Sequence, residues 1–157
     1  MELLATIAAL IGVLASGIIY GTDAFCALVL RPALAELDDG TMAAAMGRVH
    51  QYGDRRLPVP GVIGIFAAVL ATVAWAVRGS SAGAIAAGIA VAALIAWLGL
   101  YLRVAAPINR ALTAAAIAHV TPGNARALQA RWDSVIIPRA LLMAVAVAGL
   151  ASSVAAR

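Results

Sequence analysis

The chain has 157 residues, 64% of them hydrophobic and 11% charged, with a mean hydropathy of +1.01, against roughly 45–50% apolar content for soluble domains. That composition excludes a soluble globular domain. The single cysteine excludes a disulfide framework, and the net charge of +4 is explained by contact with anionic lipid, without nucleic acid.

Apolar runs at about 3–30, 59–77, 82–102 and 135–156 each approach or exceed the ~20 residues that cross the hydrocarbon core as a helix. They predict an all-α chain, a four-helix transmembrane bundle forming one membrane domain over 1–157. The first run begins with Glu2 and no basic residue and is longer than a signal-peptide core, so it reads as a retained helix. All eleven basic residues are arginine. Arg31, Arg48, Arg55 and Arg56 follow the first span, and Arg103, Arg110, Arg126 and Arg131 follow or end the third, while Arg78 and Arg157 fall on the other side. The positive-inside rule then places both termini outside a bacterial-type inner or plasma membrane and the first and third loops in the cytoplasm.

Along span one, Gly17 and Gly21 are four apart and are expected to permit close helix approach. Cys26 reads as a small apolar packing residue. In loop one the Asp38-Asp39-Gly40 break precedes a short helix over Thr41 to Met46, capped by Thr41, with Met42, Met46 and Val49 on one face. Arg78 to Gly83 forms a tight Gly-Ser-Ser turn that makes spans two and three antiparallel neighbours. Span three is expected to continue through a kink at Pro107 to about His119. Thr121-Pro122 reads as N-cap and first residue of the fourth helix, so helices three and four extend beyond the membrane on the cytoplasmic side. Pro138 is expected to interrupt that helix. His119 suits a helix C-terminus. A weak internal echo pairs Leu30-Arg31-Pro32 with Leu102-Arg103, each closing an odd-numbered span.

The costly residues are Asp23, Arg103, Asn109, Asp133 and Arg139. Ionisable groups at membrane depth mark a site unless they pair structurally. Asp23 lies about two turns before Arg31, Arg103 and Arg110 are seven apart, and so are Trp132 and Arg139, which puts each pair on one helix face. Their shared depth predicts one polar pocket in the inward half, built by Asp23, Arg103, Asn109, Trp132 and Arg139. A purely structural role, neutralising buried charge and fixing helix register, fits the same residues equally well. His50, in a loop that also holds Tyr52 and Asp54, is the natural general base. No metal site is expected from two distant histidines and one cysteine; a single haem ligand at His50 stays open.

Gly17-Ile18-Ile19-Tyr20-Gly21 before Leu30-Arg31-Pro32-Ala33-Leu34, then Pro107-Ile108-Asn109-Arg110, then Arg131-Trp132 with Arg139, together resemble the DUF1772, or anthrone oxygenase-like, integral membrane proteins over nearly the whole chain. The resemblance implies an oxidoreductase, an oxygenase that converts an anthrone- or quinol-like aromatic to a quinone with dioxygen and no cofactor. It maps the family's Asn-Arg pair to Asn109 and Arg110, its tryptophan to Trp132 and its following arginine to Arg139. Many relatives carry a histidine a turn after that tryptophan, where this chain has Ile136, so either the chemistry differs or His50 substitutes. On that reading His50 is the base, oriented by Asp23 or Asp54, and Asn109, Arg103 and Arg139 stabilise the oxyanion. Trp132 stacks on the substrate, with Tyr52, Arg110 and Asp133 also on the substrate-binding side. The partners are then a hydrophobic aromatic small molecule and the bilayer, with homo-oligomerisation open. Two other readings compete: a non-catalytic carrier or accessory subunit, and a haem- or quinone-binding electron-transfer protein.

Overall fold

The computed structural model describes residues 1–156; Arg157, counted above among the outward charges, lies outside the described residues. All its regular elements are helices, with no strand among the described residues. In chain order they are α1 (Glu2–Phe25), a π-helical turn (Cys26–Leu30), α2 (Arg31–Ala35), α3 (Asp39–Arg56), α4 (Pro58–Arg78), α5 (Ser81–Leu100), a second π-helical turn (Tyr101–Ala105), α6 (Ala106–Ala118) and α7 (Ala125–Ala155). Four continuous helices, Glu2–Ala35, Pro58–Arg78, Ser81–Ala118 and Ala125–Ala155, are long and apolar enough to cross a membrane.

Several boundaries differ from the sequence expectation. The cap of α3 is Asp38, whose carboxylate accepts the Thr41 backbone N–H at 3.0 Å and the Thr41 hydroxyl at 2.6 Å, because a carboxylate serves the exposed N–H groups of a first turn best. Those bonds lower the Asp38 pKa. The helix then runs 18 residues, not six. It buries Met42, Ala43, Met46, Gly47 and His50 and leaves Val49 exposed. α7 starts at Ala125 instead of Pro122, whose carbonyl accepts the Ala125 N–H at 3.0 Å. It passes through Pro138 without a break. α6 ends where expected, with His119 in the left-handed region at φ 56° and the Val120 N–H closing back on the Ala115 carbonyl at 3.1 Å, a Schellman-type stop.

The chain packs as two compact units. Unit 1 comprises Met1–Thr22, Val59–Leu98 and the segment from Leu141 onward; unit 2 comprises Asp23–Pro58 and Gly99–Ala140. In unit 1 small residues set the helix spacing. A Cβ on Gly64 would lie 2.8 Å from the Ser16 hydroxyl oxygen, one on Gly83 2.9 Å from the Trp75 ring, and one on Gly149 2.7 Å from the Ala86 carbonyl oxygen. Gly17 and Gly21 do not serve this purpose: a Cβ on either meets nothing within 4 Å among the described residues. The turn between α4 and α5 is as tight as expected, with Gly79 at φ 86° and the Ser80 hydroxyl oxygen accepting the Gly83 N–H at 3.3 Å while donating to the Ala156 carbonyl at 2.9 Å. Leu14, Ile18, Phe66 and Ile85 are exposed, as lipid-facing residues must be.

In unit 2, α3 lies against α6 at Gly47, where any Cβ would collide with the Leu112 carbonyl oxygen and the Ala116 methyl group. The Thr113 hydroxyl donates to the Gly47 carbonyl at 3.2 Å. The core there joins Cys26, Leu34, Met42, Met46, Ile108, Leu112, Trp132 and Ile136. Arg126 secures the entry to α3, reaching Asp39 at 2.8 Å and the Leu37 carbonyl at 2.7 Å. Gly47→Ala should therefore destabilise the protein by about 2 kcal/mol or more, since a backbone carbonyl cannot yield as a side chain does. Gly17→Ala should be neutral or stabilising by up to ~1 kcal/mol through helix propensity; thermal unfolding in detergent measures both.

Candidate functional site

Five segments of unit 2 bring polar side chains together. On α7, Gln129, Trp132, Ile136 and Arg139 recur at spacings of three and four and are all buried, which is the period of one helix face. α3 presents buried His50 and, one turn on, Asp54. The second π-helical turn supplies Tyr101 and α6 supplies Asn109. Asp23 sits three residues before the first π-helical turn.

The Arg139 Nη2 donates to Asp23 Oδ1 at 2.8 Å, with both side chains buried, and the guanidinium lies over the Tyr101 ring, 5.7 Å from its centroid, within cation–π range. The Tyr101 hydroxyl donates to Asp54 Oδ1 at 3.0 Å, and the same oxygen accepts from Asn109 Nδ2 at 2.9 Å. The Trp132 indole N–H donates to Asn109 Oδ1 at 3.0 Å. An indole only donates and a carboxylate only accepts, so the Asn109 amide has one orientation. The His50 ring sits 5.4 Å from the Trp132 ring at 52°. Burial first, then the Arg139 positive charge, push the His50 pKa down from 6.5 to about 4, leaving it neutral at pH 7. Its Nε2 is buried with no hydrogen-bond partner among the described residues.

Of the residues expected in one pocket, Asp23, Asn109, Trp132 and Arg139 are thus joined, and His50 with them. Asp133 is half-buried and accepts from Gln129 Nε2 at 2.9 Å. Arg103 and Arg110 are exposed, while Asn109 beside Arg110 is buried. Tyr52 is exposed beneath the Arg56 guanidinium at 5.3 Å. Asp54, considered only as a support for His50, bonds Tyr101 and Asn109. Tyr101 and Gln129 escaped the sequence reading, although Gln129 continues the Trp132–Arg139 face one turn earlier. Among the described residues, no three His, Cys, Asp or Glu side chains converge as a metal site would require.

Comparison with protein-family models, with curated proteins and with solved structures yields no match.

The low His50 pKa has a definite sign for stability. The unfolded chain binds a proton near pH 6.5 that the folded chain refuses until about pH 4, so the contribution is complete above pH 6.5 and is lost as pH falls toward 4. The loss should be on the order of 3 kcal/mol. A thermal-unfolding series from pH 7.5 to 4 should show this fall in the wild type, and His50→Phe should flatten it.

Proposed function

We propose that the chain is an integral membrane protein whose unit 2 binds a small hydrophobic aromatic of the anthrone or quinol kind and oxidises it with dioxygen. The observation that carries this reading is His50: a buried, neutral imidazole whose Nε2 has no hydrogen-bond partner among the described residues, its ring against Trp132. The likeness of Arg31-Pro32, Asn109-Arg110 and Arg131-Trp132 to anthrone oxygenase-like proteins supplies the reaction class.

At neutral pH the base form of His50 is already present. Its weak basicity is offset if the anion formed is stabilised, and the Arg139 guanidinium is the buried cation of the cluster. Asn109 keeps one amide N–H beyond its bond to Asp54 and holds the Trp132 indole, on which an aromatic ring can stack. Arg103 and Arg110, being exposed, act at most on approach of the ligand. For an anthrone the reaction converts the ring CH2 to a carbonyl: the carbon loses two hydrogens, one atom of dioxygen becomes the carbonyl oxygen, and the other leaves as water. Purified protein in detergent supplied with anthrone and oxygen should consume one dioxygen per quinone formed. His50→Ala should lower the rate by about 10²-fold or more, the usual contribution of a general base; an unchanged rate removes His50 from this role.

A second reading, a non-catalytic carrier or accessory subunit, draws on the mutual bonding of Tyr101, Asp54, Asn109 and Trp132, which suits a structural lock. Absence of turnover together with loss of folding in Asn109→Leu would favour it, and a visible absorption band would favour haem- or quinone-linked electron transfer.

We also propose the membrane orientation. Unit 2 holds every arginine except Arg78 and Arg157, so the positive-inside rule puts α3 on the cytoplasmic side and the Gly79-Ser80 turn outside, with four spans and helices three and four extended inward. In a Cys26→Ala background, Ser80→Cys should react with an impermeant maleimide on intact cells. Ala44→Cys should react only after permeabilisation.

A further inference from the structure

We propose that Gln129 is the specificity-determining acceptor for a hydroxyl hydrogen of the aromatic ligand, an inference that rests on the aromatic-binding reading above. Gln129 is 3% exposed and lies one turn before Trp132 on the same buried face of α7. Its amide can take only one orientation. Nε2 donates to the Asp133 carboxylate at 2.9 Å, and an ionised carboxylate accepts only, so the oxygen is the atom left over. That Oε1 is buried and has no donor among the described residues. A buried acceptor left without a donor is costly to the fold, and a ligand hydroxyl removes the cost.

The neighbouring polar groups are already matched. Asp23 binds Arg139, Tyr101 and Asn109 bind Asp54, and the Trp132 indole binds Asn109. Among the neutral side chains of this cluster, two buried atoms have no hydrogen-bond partner among the described residues, Gln129 Oε1 and His50 Nε2, and each belongs to a side chain beside Trp132, one by helix position and one by ring contact. The chemistry that satisfies them is an aromatic ring carrying an O–H donor: the ring for Trp132, the hydroxyl for Gln129, and an acidic hydrogen for His50. An aromatic ether of the same size offers the ring and no donor. A site built around a fixed buried acceptor rejects such an analogue strongly.

The test is a calorimetric titration of the full chain in detergent, with the micelle blank subtracted, using 2-naphthol and 2-methoxynaphthalene. The wild type should bind the naphthol roughly tenfold or more tighter than the ether, and Gln129→Met should bring the two affinities together by weakening the naphthol alone. Equal wild-type affinities overturn the inference while leaving aromatic binding standing, and that comparison needs no variant to fold. A naphthol preference that survives in Gln129→Met but vanishes in His50→Phe also overturns it, assigning the hydroxyl to His50. If neither probe binds, the aromatic-binding reading itself fails and the inference falls with it.

Discussion

The contact on which unit 2 depends is the ion pair between Asp23 and Arg139, which joins residues 116 positions apart at 2.8 Å with both side chains buried. Against apolar residues of similar volume such a pair is near neutral or unfavourable, whereas removing one partner leaves an uncompensated buried charge at about 3–5 kcal/mol. Its contribution is therefore better described as register than as stability: sliding either helix by a turn would separate the two charges. That arrangement sets the guanidinium over Tyr101. Tyr101 then meets Asp54, Asp54 meets Asn109, Asn109 meets Trp132, and Trp132 carries His50.

Two helices reach this cluster through the same local device. Arg31 N–H bonds the Cys26 carbonyl and Ala106 N–H bonds the Tyr101 carbonyl, each spanning five residues, and each is followed at once by a proline, Pro32 or Pro107. A proline has no N–H for the carbonyl four residues back and its ring crowds that carbonyl; a wider turn relieves both problems. π-helical turns of this kind are frequent at functional sites, and here one follows Asp23 by three residues while the other begins with Tyr101. The echo between Leu30-Arg31-Pro32 and Leu102-Arg103 was visible in the sequence, but its structural content lies in the matching prolines. At Pro107, where a kink was expected, the helix takes this wider turn just before the proline.

The parts of the fold that were legible obey local rules. Hydropathy and length identified four helices, and the seven-residue spacing of Trp132 and Arg139 placed both on one buried face. What was not legible depends on partners distant in sequence. Arg103 looked like a pocket residue because it is charged at the end of an apolar run, yet a long exposed side chain can reach water from there. The place in the cluster went to half-buried Tyr101, whose partner Asp54 is 47 residues away. Gly17 and Gly21 had the spacing for close packing, but spacing cannot say which face meets another helix; Gly47, with no such motif, is where the closest approach occurs. At the start of α3 both Asp38 and Thr41 are competent caps, and the carboxylate prevails because it bonds the threonine twice.

If unit 2 binds a ligand as proposed, its charge narrows what the cluster would receive. Nine arginines face six carboxylates in it, and its buried cation, Arg139, is matched by a single buried carboxylate, Asp23. Burial first, and then the Arg139 charge, keep His50 neutral; that same charge would work against a cationic visitor and favour one that becomes negative as it gives up a proton. If His50 takes that proton, the imidazolium forms only in the presence of the anion that compensates it, so the two charges appear together and neither is buried alone. A neutral acidic aromatic meets this condition. A permanently charged ligand of either sign would have to lose its hydration before finding a counter-charge, since the buried carboxylate is already held by Arg139. On the proposed reading, the pairing of Asp23 with Arg139 would do more than register the helices: it would withhold the ready-made charges and leave proton transfer as the way for a ligand to become charged inside.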